Sequence, residues 1–326
     1  MVFTINEMGV DTEGVIHDYI EKNNMIHINW CVDDPFYEEI MLKKKSRKYC
    51  GRIDFVSDKD YVDKMRAAGF NAFFMPLATD PGIYYPMNLK KEVQAAFVGN
   101  SYLKQIDVYT KGFETLFDEM FPYLVKIIYQ YRTNTELDIG YLLFKKISSL
   151  NLSPDIKIRK AVFVFKHLAS YMHRKETVKQ LAESIDGFQV FGDSGWLREV
   201  DEQKLGRVAY GDTLRELYNR TAVNIDINRI VIRNGFTQRV FDALACNSFI
   251  ITSEKRIVKE FFESEGTKRE LVTFRSVEEL KDLVNYYFKH ETERELIAQK
   301  GYQKVKSMHT YDHRISEMFK IISKEL

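Results

Sequence analysis

Residues 233–252 read RNGFTQRVFDALACNSFIIT, a loop followed by a helix and then a buried strand. Thr237, Gln238 and Arg239 crowd the mouth of that helix, and Asp242 follows about one turn further in. A helix N-terminus offers unpaired N–H groups and a partial positive charge, a combination that suits phosphate. Thr237 adds a hydroxyl, and Arg239 a permanent cation whose fork matches phosphate oxygens. Asp242 brings acceptor atoms suited to sugar hydroxyls. The same letters also fit a plain helix start, with Thr237 as N-cap and Asp242 as a favourable charge near the first turn.

Other loops carry polar groups at equivalent places. In open parallel sheets, ligands gather beyond the carboxyl ends of the strands. Asn6-Glu7-Met8-Gly9, Asp33-Asp34-Pro35, Gly99-Asn100-Ser101 and Gly192-Asp193-Ser194-Gly195 each follow an apolar run. Gly192 and Gly195 permit close backbone approach to a ligand, or equally an ordinary tight turn, and their spacing does not meet G-x-G-x-x-G. In WCVDDPF (30–36) either carboxylate is suited to act as general base toward a hydroxyl. The alternative is an N-cap with Pro35 opening a helix. The seven histidines form no HExxH. His309 and His313 would share a face of a helix, but with no third ligand nearby a structural role is expected and no metal is assigned.

These loops need a scaffold of alternating strands and helices. VFTIN (2–6), MIHINWCV (25–32), RIDFVS (52–57) and NAFFMPL (71–77) read as buried parallel strands. Between them, SDKDYVDKMRAAG (57–69) reads as a helix with Ser57 as N-cap, Asp60 completing a capping box and Gly69 closing it. A turn-rich linker covers 79–88, and QAAFVGN (94–100) starts a further strand. From about 105 to 186 the chain is apolar at helical spacing without strand signals, and alternation returns at 188–196, 221–228, 248–252 and 271–274. This pattern predicts an α/β protein of two doubly wound domains, residues 1–92 and 93–326, the second interrupted by a helical insertion.

Composition narrows the function. Lys plus Arg (48) nearly cancels Asp plus Glu (47), which argues against a nucleic-acid binder. Three scattered cysteines, Cys31, Cys50 and Cys246, fit a reducing compartment and no zinc site. The N-terminus lacks the basic and apolar regions of a signal peptide, and no apolar run approaches the ~20 residues of a membrane span. A cytoplasmic protein is expected.

Taken in order, INWCVDDPF, FMPLATDP, AAFVGNSY, ELYNRTAVNIDINR, NGFTQRVFDALACNSFIITSEK and HTYDHR resemble the CgeB-like glycosyltransferases of the spore-maturation type. The resemblance spans most of the chain apart from about 105–185. It implies a GT-B fold, two Rossmann-like domains facing a cleft, with the N-terminal domain on the acceptor side and minimal in extent. It implies a nucleotide-sugar donor, an unidentified acceptor, no cofactor and no metal. On this analogy Thr237, Gln238 and Arg239 contact the donor diphosphate near the Gly192–Gly195 loop. Asp242 takes the place of a ribose-binding Glu, and Tyr210 lines the base pocket. Asn234 stands where retaining relatives carry an acid, and Asn247 where Gly is usual. Asp33, with Glu7 next, is the candidate base. A sugar-nucleotide epimerase or a non-catalytic nucleotide-sugar-binding protein are the alternatives.

Overall fold

The structure is a computed structural model and describes residues 1–11, 13–36, 51–111, 113–150 and 158–325. The chain divides into two compact units, one formed by 1–78, 232–236 and 311–326, the other by 79–231 and 237–310.

In the first unit β1 (Val2–Ile5), α1 (Val15–Lys22), β2 (His27–Cys31), β3 (Arg52–Val56), α2 (Lys59–Ala67) and β4 (Ala72–Phe74) follow one another. Their strands form a parallel sheet in the order β1-β2-β3-β4. Every residue of β2 and β3 is buried, as befits parallel strands covered on both faces. Asp58, rather than Ser57, caps α2 by accepting from the Asp60 N–H, while the Ser57 hydroxyl donates to the Val32 carbonyl. Gly69 closes the helix at φ 85°. Residues 37–50, including Cys50 and most of any helix begun by Pro35, lie outside the described residues; Pro35 and Phe36 form a turn.

The second unit opens with β5 (Val93–Val98). Four helices follow: α3 (Leu103–Tyr109), α4 (Glu114–Thr133), α5 (Ile139–Ser148) and α6 (Ile158–Ser184). They fill the stretch that lacked strand signals. Alternation resumes through β6 (Phe188–Phe191), β7 (Leu205–Gly206), α7 (Asp212–Arg220), β8 (Thr221–Asp226), α8 (Gln238–Ala245), β9 (Ile250–Ser253), α9 (Arg256–Phe261) and β10 (Val272–Phe274). The helices α10 (Val277–Lys289) and α11 (Glu291–Met308) end this unit, and α12 (Tyr311–Glu325) belongs to the first. The six parallel strands lie in the order β10-β9-β8-β5-β6-β7. One apolar core joins them to the inserted helices, with Leu124, Leu143, Phe165 and Leu181 beside Phe97, Phe188 and Val223. In the first unit Met318 and Ile322 of α12 join Ile28, Trp30, Phe55 and Met75.

His309 and His313 do not share a helix. His309 follows the end of α11 and packs against the rings of Phe241, Phe261 and Phe262, whereas His313 lies exposed on α12. Asn247 adopts φ 52°, the left-handed closing position of α8; the N–H groups of Asn247 and Ser248 return to the carbonyls of Leu244 and Ala243.

Candidate functional site

The polar centre of the second unit is Asp226, the last residue of β8. It belongs to an alternation, Asn224 and Asp226 against Val223 and Ile225, that places polar groups on one face of a buried strand, and the pattern continues in sequence through Ile227 and Asn228 beyond it. Its side chain is fully buried. One oxygen accepts from the Thr237 hydroxyl at 2.9 Å and from Arg239 Nε at 2.8 Å, with Arg239 Nη2 also at 2.8 Å. The other accepts from the Thr252 hydroxyl of β9 at 2.8 Å. Thr237 occupies the N-cap position of α8, yet its hydroxyl caps nothing because Asp226 has taken it. Thr237 and Arg239, expected to face phosphate, are thus brought together around a carboxylate.

Gln238 and Asp242 form a second pair one turn along. Asp242 Oδ1 accepts from Gln238 Nε2 and from the Thr79 hydroxyl, both at 2.9 Å. Burial pushes its carboxyl up to about 7, against the opposing pull of those two donors. Asp242 therefore keeps its proton to a much higher pH than an ordinary carboxyl does.

Two neighbouring loops interlock at the ends of β5 and β6. Asp193 accepts from the Ser101 hydroxyl at 2.6 Å and from the backbone N–H of Gly195 and Tyr102. Trp196 Nε1 donates to the Gly99 carbonyl at 2.7 Å. A Cβ on Gly192 would strike that carbonyl and the Trp196 ring, and one on Gly195 would strike the Ser101 hydroxyl. Both glycines are needed so that one loop can approach the other. Tyr210 projects into solvent, 85% exposed. The N–H of its neighbour Gly211 reaches the Tyr84 hydroxyl.

Sequence reasoning missed Arg174. It sits on α6 beneath the Gly99–Tyr102 loop and is 3% exposed. Its Nη1 donates to the Asn100 carbonyl at 3.1 Å, and its guanidinium lies 4.8 Å from the centre of the Phe97 ring. Nη2 stands over Gly99, where any Cβ would collide with it. Nε and Nη2 have no hydrogen-bond partner. Burial, then the proximity of Arg239 and Arg229, holds this guanidinium down to about 9, with Tyr102 and Asp226 opposing. A ring beneath a cation contributes up to ~2 kcal/mol, whereas an unpaired buried charge costs several. The ring does not compensate the charge.

The first unit places the carboxylate candidates. Glu7 is 2% exposed and ion-paired with Arg52 Nη2 at 2.5 Å, so its charge is committed inside the fold. Asp34 is also buried, accepting from the Phe36 N–H and the Tyr61 hydroxyl. Asp33 remains partly exposed beyond the end of β2 and accepts from Asn6 Nδ2 at 2.9 Å. Asn234 is buried in this unit, its N–H held by Asp58 and its carbonyl by the Lys59 N–H. Asp58 is raised to about 6 by burial, opposed by its bonds from Arg233 and Asn234. Among the described residues no group of three or more His, Cys, Asp or Glu stands together in a metal-binding arrangement.

Residues 173–320 match a family model described as glycosyl transferase-like. No curated protein sequence matches the chain. Among solved structures, sucrose-phosphate synthase from Thermosynechococcus elongatus is similar at 10% identity and TM-score 0.53, over 95% of this chain and 71% of the other. HepE from Anabaena, solved with UDP-glucose, is similar at 8% identity and TM-score 0.53, over 96% and 77%. TarM is similar at 8% identity and TM-score 0.50, over 94% and 57%. At such identities the likeness concerns the fold: two Rossmann-like domains of the GT-B kind.

Proposed function

We propose that the chain transfers a glycosyl group from a nucleotide sugar to a hydroxyl-bearing acceptor. The observation that carries this reading is the group of Asp226, Thr237, Arg239 and Arg174 at the carboxyl ends of adjacent parallel strands, inside the stretch that matches the glycosyl transferase-like model. The structure of HepE with UDP-glucose supports a uridine nucleotide as the first donor to try. The motif string NGFTQRVFDALACN to HTYDHR supports a CgeB-like specificity within that class.

In the reaction the acceptor oxygen attacks the anomeric carbon, the bond from that carbon to the diphosphate oxygen breaks, and the acceptor's proton must leave. Asp33 is the residue we assign to take it, being the partly exposed carboxylate at a strand end of the first unit. Guanidinium groups and the N-terminus of α8 stabilise the departing diphosphate, a role that elsewhere falls to a divalent ion. Cys31 and Cys246 are free thiols, which supports a reducing, cytoplasmic setting. None of the helices among the described residues is long and apolar enough to cross a membrane.

The test is incubation with a panel of UDP-, GDP-, ADP- and CMP-sugars, with and without EDTA, measuring release of the nucleotide and the mass of the sugar product. Release that EDTA leaves unchanged, with the sugar linked or hydrolysed, is the expected result. A changed sugar freed without transfer would indicate an epimerase, and binding without release a non-catalytic protein.

A further inference from the structure

Arg174 holds a charge that no carboxylate of the described residues pairs with. The acid that acts on it, Asp226, already binds Arg239 at 2.8 Å. Its two unpartnered atoms, Nε and Nη2, are both buried and belong to one edge of the planar guanidinium, the edge whose geometry matches two oxygens of a phosphate side by side. The third nitrogen is anchored to the Asn100 carbonyl, so this edge is held at the end of β5 beside the loop that Asp193 and Trp196 lock in place. Arg239 also approaches the Phe97 ring, 5.9 Å from its centre, with Arg174 at 4.8 Å, so two guanidiniums crowd one aromatic side chain.

We propose that Arg174, supplied by the long inserted helix α6, is the principal phosphate ligand of the donor site, and that Arg239 acts mainly by neutralising Asp226. The proposal rests on the nucleotide-sugar reading above and deepens it by naming the cation. It reverses the sequence-based expectation, in which Arg239 faces the diphosphate. It also gives the helices inserted after β5 a purpose, since the last of them delivers a charge to the strand ends.

Calorimetric titration of the full chain with inorganic pyrophosphate tests this apart from any base or sugar. Wild type should bind one equivalent. Arg174→Gln should weaken that binding by about tenfold or more, and Arg174→Lys, which keeps the charge but loses the fork, by less. The melting temperature of ligand-free R174Q should equal or exceed that of wild type, because an unpaired buried charge has been removed. Wild-type affinity in R174Q, absence of pyrophosphate binding by wild type, or early melting of both variants with binding retained would each overturn the proposal. So would failure of both variants to fold, which would make Arg174 structural. The two readings fail separately. If R174Q turned over UDP-glucose with the wild-type kcat and KM, Arg174 would lose its role and glycosyl transfer would stand. If pyrophosphate bound through Arg174 but no nucleotide sugar were consumed, transfer would fall and the anion site would remain.

Discussion

Two buried charged clusters, one in each unit, use similar residues and differ in how far they close on themselves. In the first unit Arg52 binds Asp54 through Nε and Nη2, each at 2.8 Å, and also Glu7. Asn29 links Asp54 to Thr4, and Thr4 reaches His27. All of these residues are buried, and the charges are answered from within. In the second unit Asp226 is equally closed, gathering Thr237, Arg239 and Thr252. Arg174 beside it is not. A closed network specifies the packing of a sheet. The second cluster leaves one cation, Arg174, unanswered, and on that difference the proposed donor site rests.

Perturbing either side should separate the two roles. The largest effect is expected from Asp33→Asn, which removes the assigned base. Turnover should fall by ~10²–10⁴ with donor affinity and melting temperature unchanged. Early melting with normal turnover would make Asp33 structural. Next comes Asp226→Ala, which strands Arg239 and frees two hydroxyls in the interior. Chemical denaturation should show a loss of ~3–5 kcal/mol, and a loss under about 1 kcal/mol would mean that Asp226 does not anchor its cluster. Glu7→Gln should cost ~1–3 kcal/mol through Arg52 while leaving kcat intact, whereas a fall in kcat comparable to that of D33N would move the base to Glu7.

The smallest effect concerns pH. Asp242 has a folded-state value of about 7, above its ordinary 3.8, so the folded protein holds this proton more tightly than the unfolded chain. Asp242 therefore lowers stability progressively as pH rises from about 4 to about 7, and no further above that. Asp242→Asn should gain nothing over wild type at pH 4 and on the order of 4 kcal/mol above pH 7. A gain independent of pH would show that burial does not shift this carboxyl.

Much of this architecture was legible in residue order. The parallel strands announced themselves as apolar runs and the insertion by its helical spacing, while Asn247, standing where the resembled family has Gly, takes the left-handed position that Asn tolerates next best. Thr237 was placed at the mouth of α8 correctly, but what its hydroxyl bonds to was not legible. That depends on Asp226, eleven residues earlier in sequence and on a different element. The alternation of NIDIN carried the signal, since a carboxylate within an apolar strand requires buried partners. Ser57 lost the cap of α2 to Asp58 because its hydroxyl found the Val32 carbonyl first, a contact between strands that local spacing does not contain. Arg174 was hidden for a plainer reason. It sits in a helix read as core, and its meaning comes from Gly99 and Phe97, more than seventy residues away in the chain.

Whether a nucleotide sugar occupies the open cluster is decided by amide hydrogen exchange of the full chain with and without UDP-glucose, repeated with the other nucleotide sugars of the panel. One of these donors should slow exchange at the Gly99–Tyr102 loop, the Gly192–Trp196 loop and the first turn of α8 together, with this pattern weakened in R174Q. Protection confined to other segments, or none with any donor, would contradict a donor site built on these loops.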